Sequence, residues 1–256
     1  MNVTQRKEWL VLSVQQSNPD FERPMLRIGS VAFLAGLVII IVSTLFHASQ
    51  EDPTNHPLVF AEYAQSDPWI AAHIGQFAGV MLVFAGGFVA LFRLLVKSES
   101  GTASALAWFG LVTAILVAST FTILQAVDGI TLKIAVDTWY AIPPSDNEEK
   151  AIAFRVAEGI RWTEIGINSY FRMLQGAVAL IFGVAIAMSN LLSRWIGGFG
   201  IFAGAATIIA GVGVAYVGFS SSLAVMSVLS TVTSFAWLAV LGIFMWRKTK
   251  VKIITR

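Results

Sequence analysis

SALAWFGLVTAILVASTFTILQAV, residues 104–127, contains no Asp, Glu, Lys or Arg. At a helical rise of about 1.5 Å per residue, such a run crosses the roughly 30 Å of a bilayer's hydrocarbon core. A helix apolar on every face belongs in that environment, where the backbone must satisfy its own hydrogen bonds. Working outward, five further runs meet the same standard, near 28–47, 70–95, 167–188, 195–217 and 222–246. The sequence therefore predicts an all-α fold, a polytopic membrane helix bundle with six transmembrane helices. Its membrane domain spans 28–247, between an N-terminal segment, 1–27, and a basic tail, 248–256.

Composition agrees. Charged residues make up 12% and hydrophobic ones 56%, with a mean hydropathy of +0.74. A soluble domain carries about a quarter charged residues, so too little polar surface exists here to cover a globule. A net charge of +2 implies no nucleic-acid partner. The absence of cysteine excludes disulfides, thiolate metal sites, iron–sulfur clusters and cysteine nucleophiles. A mostly polar segment precedes the first apolar run, so no cleavable signal is expected. Pro19, Pro24, Pro53, Pro57, Pro68, Pro143 and Pro144 all fall outside the six runs, which predicts membrane helices without proline kinks.

Orientation follows from basic residues in the connections. Arg6, Lys7, Arg23, Arg27, Arg93, Lys97, Arg194, Arg247, Lys248, Lys250, Lys252 and Arg256 fall on one side. Lys133, Lys150, Arg155, Arg161 and Arg172 fall on the other. The richer side is expected to be cytoplasmic, with both termini there and the plasma membrane as the location. Trp69, Trp139 and Trp162 suggest an outer aromatic belt, and Trp195 and Trp246 an inner one.

The connections expected outside are unequal. SQEDPTNHP leads into a short amphipathic segment, PLVFAEYAQS, at 57–66. The third span runs on through VDGITLKIAVDTW, with Lys133 and Asp137 at i,i+4, until Pro143-Pro144 breaks it. Ser145 and Glu148 form a capping-box pattern opening the next helix. A helical hairpin projecting between spans three and four is the expectation, and a tight turn near 220–222 closes the last loop. Span five repeats glycine at 197, 204, 211 and 218, with Gly200 adding a GxxxG. This is a smooth face for a neighbouring backbone, in the bundle or in a homo-oligomer. Gly75 and Gly79 in span two read the same way.

Polar residues at membrane depth are costly and mark candidate sites. Helical rise places His47, His73, Asp128 and Arg172 at a similar depth near the outer boundary, on four helices. His73 and Gln76 share a face at i,i+3, as do Gln125 and Asp128. Arg161, Glu164, Asn168, Arg172 and Gln175 form one continuous polar stripe. Three readings fit. Arg172 and a carboxylate lock helices together, in a non-catalytic subunit or scaffold. Alternatively the residues line a water-accessible site for binding or passage of a small polar or ionic ligand, with His73 titratable, Arg172 cationic and Asp128 its counter-charge. Third, His47 and His73, with Glu51, Asp52 or Asp128, are candidate metal ligands, or the two histidines ligate a haem. The second leads. No HExxH, GxSxG, Walker A or Rossmann pattern is present, so no catalytic residue or cofactor is assigned.

Three segments also carry a resemblance: HPLVFAEYAQSDPWIAAHIGQFAGV at 56–80, LQAVDGITLKIAVDTW at 124–139 and RWTEIGINSYFRMLQG at 161–176. They resemble a group of uncharacterised six-helix membrane proteins of bacteria and archaea, over spans one to five. The resemblance implies a membrane fold and no established activity. It coincides with the segments supplying His73, Asp128, Glu164, Asn168 and Arg172.

Overall fold

The computed structural model describes residues 19–48 and 50–250, and no strand occurs among them. The helices are α1 (Pro19–Leu45), α2 (His56–Ala64), α3 (Trp69–Leu95), α4 (Gly101–Ala141), α5 (Asn147–Met188), α6 (Arg194–Val217) and α7 (Ala224–Lys248). All but α2 are long and apolar enough to cross a membrane, and the protein is a multi-pass membrane protein. Arg6, Lys7, Lys252, Arg256 and most of the basic tail lie outside the described residues.

Each spanning helix packs on its sequence neighbour, and α7 packs on both α6 and α1, which closes a ring of six. Small residues set how closely the ring draws together. A Cβ on Gly204 would stand 2.6 Å from the Gly176 carbonyl oxygen, and one on Gly197 2.5 Å from that of Gly183. The α6 glycine face therefore packs on α5 inside the bundle. Gly79 meets Gly36 on α1 in the same manner. Gly218 does not belong to that face: it ends α6 at φ +64, a conformation that favours glycine.

Outward faces are apolar, as lipid demands. On α4, Trp108, Phe109, Val112, Ile115 and Leu116 all point away from the bundle. Inside, Phe33, Phe88, Phe182 and Trp237 meet, with Phe88 5.1 Å from Phe33, 5.2 Å from Phe182 and 6.0 Å from Trp237 between ring centres. These four buried rings plug the middle of the ring.

The hairpin forms as the charge pattern predicts. α4 continues to Ala141, the Lys133–Asp137 bridge closes at 2.6 Å, and α5 starts at Asn147. α2 lies across it, burying Val59, Phe60 and Tyr63 against Leu132, Val136 and Ala157. Three local expectations need correction. Asp146, not Ser145, caps α5, and its side chain makes no capping bond. The cap is dispensable because α5 is 42 residues long and anchored by packing. Pro24 lies inside α1, near its start, where it removes one backbone hydrogen bond. Trp69 is not a belt residue: it is 0% exposed, its indole N–H donating to the Asp128 carbonyl at 3.3 Å.

The helices do depart from regular α geometry, without proline. Leu82–Phe88 in α3 and Ala126–Leu132 in α4 are π-helical. Such wide turns recur at functional sites because they re-aim side chains. The second one contains Asp128.

Candidate functional site

The polar candidates gather at the hairpin end of the ring. The short connection after α1 brings His47 beside Trp69 and His73 of α3, with ring centres 4.7 and 5.0 Å away. Tyr63 of α2 closes the stack on Trp69 at 4.1 Å. From α4 the π segment turns Asp128 inward, so that its Oδ2 lies 3.1 Å from His73 Nε2. Gly129 makes this approach possible, since a Cβ there would stand 2.6 Å from that of His73.

His73 Nδ1 lies 2.7 Å from the Trp69 carbonyl oxygen, and His47 Nδ1 2.7 Å from that of Ala48. A carbonyl only accepts, so both Nδ1 atoms carry hydrogen and donate. His73 is 2% exposed. Its Nε2, the Asp128 Oδ1 and the Gln125 Oε1 are buried without a hydrogen-bond partner. Burial pushes the His47 imidazole below its ordinary range and the Tyr63 phenol above its own. The His47 and His73 rings stand with their centres 5.0 Å apart and tilted 49° to each other, with no porphyrin-sized gap between them.

A chamber of about 330 Å³ adjoins this cluster, lined by His47, Gln76, Gln125, Asp128, Arg161, Glu164, Asn168 and Arg172, among others. His73 stands behind Asp128, outside the lining. A second cavity of about 210 Å³ continues toward the aromatic plug and shares Thr44, Gln76, Phe121, Asn168 and Arg172 with the first. All six spanning helices contribute to it, from Ile40 on α1 to Ser234 on α7. The polar stripe of α5 does face the interior.

Its pairing differs from the expectation. Arg172 donates from Nε to Asn168 Oδ1 at 2.9 Å, and among the described residues it has no carboxylate within bridging distance. Asp128 faces His73 instead. The two do not meet: the guanidinium bonds to Asn168, one turn earlier on α5. The buried ion pair is Arg161–Glu164, at 2.5 Å, with exposures of 3% and 2%. Arg161 also lies over the rings of Tyr63 and Phe219, at 5.5 and 5.0 Å. Sequence reasoning placed Arg161 on the polar stripe and missed its burial, because α2 and the α6–α7 turn cover it. It also missed the hydroxyl wall of the deeper cavity, Thr207, Ser230 and Ser234, where Thr207 and Ser234 bond at 3.0 Å. The signal was available: Ser227, Ser230, Thr231 and Ser234 recur at helical spacing.

A ring of six apolar helices around a polar chamber defines the class, a polytopic membrane-helix protein with its polar side chains gathered at one end of the bundle. The chain belongs to the family described as domain of unknown function DUF4386, whose model matches residues 28–248 and so includes the sixth span. No curated protein and no solved structure matches it.

Proposed function

We propose that the chamber binds a small polar ligand bearing an anionic group, with Arg172 as its anchor. The observation that carries this is a guanidinium between two contiguous cavities that, among the described residues, bonds to the neutral amide of Asn168 and to no carboxylate. An arginine has five N–H donors in a planar fork suited to carboxylate or phosphate oxygens, and charge at this depth is costly unless compensated. Gln76, Gln125 and Gln175 offer further hydrogen bonds around the two cavities, and Thr207 and Ser234 offer more in the deeper one, next to the plug. Binding is favoured over passage because Phe33, Phe88, Phe182 and Trp237 close the inner end. The site opens at the end that the charge distribution assigns to the exterior of the plasma membrane.

The test is a thermal-shift series in detergent with inorganic phosphate, sulfate and short-chain carboxylates. A ligand at about 100 times its Kd stabilises by about 2.7 kcal/mol, which a melt resolves. One class is expected to shift the unaltered protein. Arg172→Gln should weaken that ligand about 10- to 100-fold, the measure of a lost charged hydrogen bond. An equal shift in Arg172→Gln, or no shift with any class, would overturn the proposal.

A further inference from the structure

Three residues from three separate segments converge beside the chamber, two of them, His47 and Asp128, in its lining. His47 follows α1, His73 stands on α3, and Asp128 comes from the π segment of α4. Each offers one ligand atom, and these atoms all lie within 4.8 Å of one another. We propose that His47, His73 and Asp128 bind a divalent transition-metal ion of the zinc type, with a fourth coordination position open to the chamber. This goes beyond the anion-anchoring role of Arg172 and does not rest on it.

Hydrogen bonding around the histidines carries the argument. Both Nδ1 atoms donate to backbone carbonyls, Trp69 and Ala48, each at 2.7 Å. A neutral imidazole held this way presents the Nε2 lone pair, and such a carbonyl partner is the usual outer support of a metal-bound histidine. His73 Nε2 faces Asp128 Oδ2 at 3.1 Å, yet neither His73 Nε2 nor Asp128 Oδ1 has a hydrogen-bond partner, although both are buried. Two lone pairs at that distance repel unless a cation joins them.

A proton on His73 Nε2 would answer for His73 and Asp128 alone. It would leave a second imidazole, His47, with its ring centre 5.0 Å from a cation and nothing to do there. A metal ion uses all three. Two imidazoles and a carboxylate suit zinc and its first-row neighbours; calcium and magnesium prefer all-oxygen shells, and a chain without cysteine offers no thiolate for copper(I). Three protein ligands with one open position is the arrangement of catalytic rather than structural zinc.

Local geometry points the same way. Asp128, one of the three, lines the chamber wall together with His47. The π turn and Gly129 are the features that let Asp128 and His73 approach.

The experiment uses the full chain, purified in detergent on an affinity tag without histidine, stripped with EDTA and titrated with Zn²⁺. Co²⁺ serves in parallel as a spectroscopic probe. One equivalent per chain should bind, with visible Co²⁺ bands of a four-coordinate nitrogen–oxygen site. His73→Gln and His47→Gln should each weaken Zn²⁺ by more than about 100-fold, beyond the 10- to 100-fold typical of losing an outer partner. His47 is half-buried at a helix end, so His47→Gln keeps a folded protein even if His73→Gln does not. Absence of stoichiometric Zn²⁺, or undiminished affinity in His47→Gln, would overturn the site and leave a protonated His73–Asp128 pair. Arg172→Gln should retain the metal. Metal binding without an anion shift removes only the Arg172 reading, and an anion shift without metal removes only this one.

Discussion

Arg161 and Glu164 stand one turn apart on α5, and both are buried. An exposed pair at that spacing contributes about 0–1 kcal/mol, mostly screened. Burial changes the arithmetic, because either charge alone is then left in a poor dielectric. Glu164→Gln is expected to cost about 3–5 kcal/mol, read as lost stability in detergent. Arg161→Met combined with Glu164→Leu should recover most of it, since a well-packed apolar replacement of a buried pair is often neutral or better. A mild single variant would mean that water reaches the pair. Arg172 predicts the opposite pattern: lacking a carboxylate partner among the described residues, Arg172→Gln should leave stability nearly unchanged while ligand affinity falls.

Helix spacing in this protein is set by glycine. α6 lies against α5 so closely that any side chain at Gly204 meets backbone atoms, Gly176 O at 2.6 Å and Leu180 N at 2.7 Å. Gly204→Ala should therefore force the helices apart and cost roughly 1–3 kcal/mol, the usual scale of overpacking. Gly198, on the same helix, has nothing within 4 Å of an added Cβ. Gly198→Ala should be neutral or slightly stabilising, as alanine is the better helix former. If both variants melt alike, the close contact is not what holds α5 and α6. In α4 the decisive element is the wide turn at Ala126–Leu132, in which Thr131 Oγ1 donates five residues back to the Ala126 carbonyl at 3.0 Å. A regular helix would carry Asp128 to a different azimuth.

Six crossings place the start of α1 and the end of α7 at one end of the bundle, with the α3–α4 and α5–α6 connections. Contacts there agree: Glu22 of α1 pairs with Lys97 beyond α3, and Lys248 donates to the Leu191 carbonyl at 2.6 Å. The excess of Lys and Arg in these connections predicts that this end is cytoplasmic. A reporter fused after Arg256 should be active inside the cell, and one inserted near Ser145, in the hairpin turn, outside. The reverse result would invert the orientation and place the chamber mouth in the cytoplasm.

What the sequence determined by itself is the class: six helices, their approximate limits, the extension of α4 and α5 into a hairpin, and the inward polar stripe of α5. These follow from one-dimensional rules, the length needed to cross hydrocarbon, the 3.6-residue period and the cost of charge in lipid, so a single chain suffices to read them. Equal depth also drew His47, His73 and Asp128 into one candidate group. Depth says nothing about azimuth. Only the tertiary structure decided that Asp128 turns to His73 and Arg172 to Asn168, because a π turn, a glycine contact and a helix rotation each shift a side chain around the ring without moving it along the membrane normal. The burial of Trp69 and Arg161 was decided there too, by α2 folding across the hairpin end, a long-range packing event that leaves no periodic mark in the sequence of either residue's own helix.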